Sequence, residues 1–223
     1  LGARLHEIHL ARSGSHATPQ HVAGKATARL NAAASTLCSW QLEKGAEGDF
    51  LPQLVFADDI DLALAADLFG LYPSRREALR SLRTLADAHR LCHKQLGIEE
   101  GARGTACTAY RQKNCRGVCI GKEAPALHSA RLMAALARLK VRAWPYQGPV
   151  VLVERDEFGM REDLHLIDRW RLVGTVHNEE ALHARLADGP TGHSFDPDIY
   201  RIIDRFLQSG TVHVRPLPPF FSP

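Results

Sequence analysis

No apolar run approaches the roughly 18 residues that a membrane-crossing helix requires. The opening residues, Leu1-Gly2-Ala3-Arg4-Leu5-His6-Glu7, hold no apolar stretch of the kind that leads a chain to export. Together these absences exclude membrane-spanning and exported classes and predict a cytoplasmic chain. An initiator Met is also lacking, as expected of a fragment or a processed chain. Acidic residues are missing altogether between residues 8 and 42, and between Ala11 and Thr36 the only large aliphatic residues are Val22 and Leu30. A stretch so poor in large apolar side chains cannot bury enough surface to offset its ordering entropy, so residues 1–37 are expected to be weakly ordered. No C-x-x-C pair, H-E-x-x-H helix or internal repeat occurs. Cysteines number five, at 38, 92, 107, 115 and 119, and an odd count argues against a disulfide framework.

What is present is an ordinary globular balance: 223 residues, 45% hydrophobic and 24% charged, enough for one large or two small domains. A net charge of +3 announces no nucleic-acid partner by itself. Its distribution is more informative. Residues 75–122 hold eleven Lys/Arg against four Asp/Glu, and four of the five cysteines fall in the same region.

Local patterns give an α+β class, with a cysteine-rich segment between two helices followed by a small mixed α/β region. Cys38–Leu42 and Leu51–Phe56 alternate with period two around a polar turn and read as a hairpin. Phe69–Pro73 is a loop or short strand. Ser74-Arg75-Arg76-Glu77 is a capping box, opening a helix expected to run to Leu91 or Cys92. Residues 97–122 read as irregular, and a second helix spans Pro125–Leu139. Trp144–Pro149 reads as a hinge, dividing a 38–143 domain from a 144–223 domain. Beyond it come strands at Val150–Val153 and Leu164–Trp170, helices at Glu179–Leu186 and Pro197–Leu207, and a last strand at Thr211–Arg215.

The cysteine spacing C-x14-C-x7-C-x3-C can supply four thiolates to a tetrahedral zinc or a [4Fe–4S] cluster. Gly117 and Gly121 suit a chain bending around such a centre, and Arg103, Arg111, Lys113 and Arg116 would offset its negative charge. Four buried apolar thiols are the plain alternative, since only Cys115 and Cys119 are closely paired. Other patterns carry less. Gly117–Glu123 resembles a phosphate loop but is one residue short and ends in Glu. The acidic pairs Asp58-Asp59, Glu99-Glu100 and Glu179-Glu180 read as caps and helix-dipole partners. His165, His177, His183, His193 and His213 read as surface or core residues.

Further matches extend beyond the cysteines: Asp67-Leu68-Phe69-Gly70-Leu71-Tyr72-Pro73-Ser74-Arg75-Arg76-Glu77-Ala78-Leu79, Leu91-Cys92, Gly104–Cys107, Asn114–Glu123 and Trp144-Pro145-Tyr146-Gln147-Gly148. Through these, residues 38 to about 210 resemble the region that follows the GIY-YIG nuclease domain in bacterial excinucleases of the UvrC/Cho type. That region also occurs fused to DNA polymerase III epsilon-type exonucleases. The resemblance implies incision of damaged DNA in nucleotide excision repair, with the UvrA–UvrB complex, and UvrB in particular, as partner. It implies a [4Fe–4S] cluster on Cys92, Cys107, Cys115 and Cys119, with zinc the alternative. Cys38 falls outside the set, so Cys38→Ser is expected to be nearly silent. No Tyr-Ile-Gly is present, and the acid-free run supplies no metal-binding Glu, so no catalytic residue and no nuclease-site divalent metal are expected here. Arg75, Arg76, Arg111, Lys113 and Arg116 are the candidates for contact with DNA phosphates. The remaining alternatives are a non-catalytic basic DNA-binding module and a structural metal module linked to an exonuclease.

Overall fold

A computed structural model describes residues 37–45, 48–102, 104–155, 158, 162–188, 195–210 and 213–218. Residues 1–36, which include nearly all of the segment expected to be weakly ordered, lie outside the described residues, as do Arg103 and His193. Between Val141 and Arg142 the chain divides into two compact units.

The first unit contains β1 (Cys38–Lys44), β2 (Phe50–Phe56), β3 (Leu68–Tyr72), α1 (Arg75–Ala88), α2 (Thr108–Arg111), α3 (Pro125–Leu136) and β4 (Lys140–Val141). Its antiparallel sheet runs β2-β1-β3-β4. The expected hairpin is there, with Cys38 opposite Phe56 and Lys44 opposite Phe50. Trp40, Phe69, Ala78, Leu82, Leu132 and Leu136 form the core between sheet and helices. Trp40 spends its indole N–H on the Ala78 carbonyl at 3.3 Å, so a ring buried in apolar surroundings leaves no orphaned donor. Gly70 is obligatory: its φ is +73°, and an added Cβ would run into the Tyr72 hydroxyl.

Ser74 caps α1 as its sequence dictates, accepting the Glu77 N–H at 3.3 Å. The other end differs from expectation. α1 stops at Ala88, because Arg90 turns left-handed at φ 54°, and the Leu91 N–H closes back on the Ala86 carbonyl at 2.8 Å. This is a Schellman closure with arginine where glycine is usual. It releases Cys92 from the helix and buries it.

The second unit contains β5 (Val150–Arg155), β6 (Glu162–Asp168), β7 (Arg171–Val176), α4 (Glu179–Ala187), α5 (Pro197–Ser209) and β8 (His213–Pro216). Its antiparallel sheet runs β7-β6-β5-β8, and Val151, Leu164, Leu166, Val173 and Leu182 make one core layer. β7 is a strand that the sequence reading lacks. Leu164–Trp170 is not one continuous strand, because β6 turns at Arg169 and Trp170, whose φ values of 48° and 62° make a two-residue hairpin. Trp170 is fully buried there, its ring edge-to-face with Trp144 at 5.1 Å and Tyr200 at 4.9 Å. The expected hinge segment therefore contributes Trp144 to the packed interior of this unit.

Candidate metal centre

Cys92 follows the end of α1, Cys107 caps α2, Cys115 lies in the loop beyond it, and Cys119 sits in a short 3-10 turn at Val118–Ile120. The four Sγ atoms lie within 4.8 Å of one another. Three of the cysteines are buried and Cys119 is half-buried. Cys107 caps α2 with its sulfur, which accepts the Tyr110 N–H at 3.2 Å, and Cys115 Sγ accepts the Gly117 N–H at 3.3 Å. Gly117 makes this approach possible. Its φ is +93°, and a Cβ would press on the Tyr110 ring and Lys122 Cβ at 3.0 Å.

The thiols do not share one environment. Burial raises Cys92 well above its ordinary range and Cys115 to about 11, with neighbouring sulfurs adding repulsion. Cys107 is held low: burial alone would raise it, but the Tyr110 N–H and hydrogen bonds from the other three thiols outweigh it. Cys107 thus carries more thiolate character than Cys92 or Cys115. A bound cation would displace the remaining protons.

This donor set fits a metal centre: four convergent soft ligands, two of them supported by backbone N–H groups. The spacing bears on nuclearity. Zn–S bonds of about 2.3 Å place tetrahedral sulfurs about 3.8 Å apart, inside the 4.8 Å that bounds the sulfurs here. A four-iron cube bonds each thiolate to a different iron and requires the sulfurs to spread.

Behind the sulfurs is a layer of residues the sequence reading missed. His128 of α3 is fully buried, and its Nε2 accepts the Cys92 N–H at 3.0 Å. Desolvation, and the nearby Arg131 charge, push its pKa down to about 4, which keeps the acceptor neutral. Arg131 grips Glu123 through Nη2 and Nε, at 2.6–3.0 Å. It also donates to the His89 and Arg90 carbonyls at the end of α1, at 2.7 and 3.1 Å. A buried His and Glu on an apolar helix and its approach were the available sequence signal. Glu99 accepts the Thr108 N–H at 2.9 Å at the start of α2, a capping role like that expected of the acidic pairs.

Arg75, Arg76, Arg111, Lys113 and Arg116 are all exposed. Arg111, Lys113 and Arg116 lie on the cysteine loop. Arg75 and Arg76 open α1 at the end away from Cys92, about 20 Å off by the rise of a 14-residue helix. His165 is a core residue, with Glu154 at 3.1 Å and Thr175 at 2.9 Å, whereas His177, His183 and His213 are exposed. Among the described residues no helix is long and apolar enough to cross a membrane.

The family comparison also divides the chain in two, on either side of the boundary between Val141 and Arg142. Residues 37–138 match the family described as UvrC/Cho excinuclease, middle domain, and residues 149–220 match the Excinuclease Cho C-terminal domain. The chain belongs to the UvrC/Cho excinuclease family, of which it carries the C-terminal region. Among curated relatives, Excinuclease cho of Escherichia coli strain K12 is 39% identical over 185 residues, covering 82% of this chain and 59% of the relative. The Shigella flexneri protein of the same name is 38% identical with the same coverage. That of Salmonella typhi is 38% identical over 179 residues, covering 80% and 57%. The chain thus spans less than two thirds of the length of these relatives. No solved structure matches it.

Proposed function

We propose that this chain is the metal-stapled, DNA-contacting part of a DNA-repair excinuclease acting in nucleotide excision repair, on damaged DNA presented by the UvrA–UvrB complex, with UvrB as its protein partner. The convergence of Cys92, Cys107, Cys115 and Cys119 carries the reading. A [4Fe–4S] cluster is the proposed occupant, from the family resemblance. The metal supplies folding energy, tying the end of α1 to a loop with few large apolar residues. His128 orients the Cys92 backbone, Gly117 and Tyr110 direct N–H groups at two sulfurs, and the exposed basic side chains face the phosphate backbone. No residue of this chain is assigned to phosphodiester cleavage, and the isolated chain is expected not to incise.

Zinc is the second reading, favoured by sulfur spacing. Anaerobic purification followed by an absorbance spectrum and iron, sulfide and zinc counts separates the two. A broad visible band with about four irons per chain supports the cluster, and one zinc without iron overturns it in favour of the ion. Neither metal would return the cysteines to the core. Duplex binding measured across salt tests the DNA surface. A steep fall in affinity with little sequence preference is expected, and no binding, or affinity flat with salt, would overturn it.

A further inference from the structure

Beside the sulfur pocket, in the same unit, lies a cleft of about 510 Å³ whose walls include Asp49, Lys94, Gln95, Gly101, Gly104 and Cys119. Its size is that of a site for one small organic group, and its polar side chains are few and convergent. Asp49 is only 7% exposed, and its carboxylate accepts a hydrogen bond from the Gln95 side-chain amide. One amide hydrogen is so engaged; the other, with the Gln95 carbonyl and the remaining carboxylate lone pairs, presents one donor beside acceptors. The Lys94 ammonium is held by the Thr105 carbonyl at 3.2 Å and by the Thr105 hydroxyl, neither of which cancels its charge. Glu99, which feels that charge, is engaged by the Thr108 N–H. Gly104 leaves part of the wall open, with nothing within 4 Å of where a Cβ would stand, so a flat ring can approach the backbone there, while Lys94 lies over Gly101.

From this arrangement we infer that the cleft takes one extrahelical nucleotide of bound DNA, its base edge met by Asp49 and Gln95 and its phosphate by Lys94. An edge with one donor beside acceptors selects a base with a carbonyl next to adjacent N–H donors. Guanine, with O6 next to N1–H and its 2-amino group, meets that requirement, whereas thymine offers a single N–H between two carbonyls. This rests on the DNA-contact reading above and adds to it a position and a base preference.

The test uses the full chain, metal retained, and three short fluorescein-labelled duplexes: fully paired, with one bulged guanine, and with one bulged thymine. Anisotropy titration is expected to show the guanine bulge bound about tenfold tighter than the other two. Gln95→Ala and Asp49→Asn are expected to abolish that preference while leaving the paired duplex unaffected. Lys94→Ala is expected to lower the salt slope by about one. Should Asp49→Asn fail to fold, Gln95→Ala carries the same test. Equal affinity for all three duplexes, or a preference surviving in folded Gln95→Ala, overturns the cleft assignment and leaves the DNA reading standing. No binding of any duplex overturns the DNA reading and the cleft with it.

Discussion

Burial raises the thiols of Cys38 and Cys115 alike, each to about 11, yet the two have different neighbours. Cys38 points its sulfur at the Tyr72 carbonyl, 3.6 Å away, inside an apolar sheet. Cys115 faces three other sulfurs. Cys38→Ser keeps a donor for that carbonyl and should cost about 1 kcal/mol in a denaturant titration, more than the silence expected from sequence because the site is fully buried. Cys115→Ser should lose bound metal and unfold the first unit at a much lower midpoint. Equal effects from the two substitutions would mean ordinary packing at both.

A different residue sets a pH dependence. His165 is fully buried on β6, and desolvation lowers its pKa below the ordinary value, with Glu154 and Asp163 pulling partly the other way. The unfolded chain therefore takes up this proton more readily than the folded one. Its contribution to stability is complete above about pH 6.5 and is lost as the pH falls toward the lowered folded value. Unfolding midpoints measured at stepwise lower pH should decline through that window for the wild type, and less steeply for His165→Gln.

Among the elements, the end of α1 is clasped to α3 by a charged side chain. Arg131 reaches from α3 to the two carbonyls left open where α1 ends, while Glu123, with 6% of its side chain exposed, balances its charge. Arg131→Ala would strand a buried carboxylate and should cost about 3–5 kcal/mol, read from chemical denaturation. The double substitution Arg131→Met with Glu123→Gln should recover much of that loss.

This clasp also marks where sequence reading stopped. Ser74 and Glu77 announced the start of α1, because a cap is written in adjacent residues. Its end was not legible, since the left-handed position is filled by Arg90 and stabilised by a side chain 41 residues further on. The β6–β7 turn was hidden for a related reason. Arg169 and Trp170 lack turn chemistry, and it is burial of Trp170 against Trp144 and Tyr200 that offsets their backbone strain. The four cysteines were legible as a group from spacing and resemblance. Their convergence on one point depends on a helix end and a cap that only the fold supplies.

For the molecule as a whole, the division between Val141 and Arg142 confines the cysteine centre to one unit. Cys92, Cys107 and Cys115 form a small cluster of their own with Ala109, apart from the apolar core of the first sheet. Metal removal by chelation or oxidation should therefore raise hydrogen exchange first in residues 91–122, then in α1 and α3 through His128 and Arg131. β5–β8 should keep their protection. Loss of protection in both units at once would show that they unfold together.

The uneven cover over the sulfurs has a practical side. Cys119 is the half-buried corner, opening on the Lys94 cleft, while its three companions are sealed. Dissolved oxygen or peroxide meets that sulfur first, so ageing of a stored preparation should be written on one peptide. Tryptic mass spectrometry of samples left in air should find sulfinic and sulfonic forms accumulating at Cys119 ahead of the other three. The oxidised fraction of that single residue would then serve as a shelf-life clock for the protein.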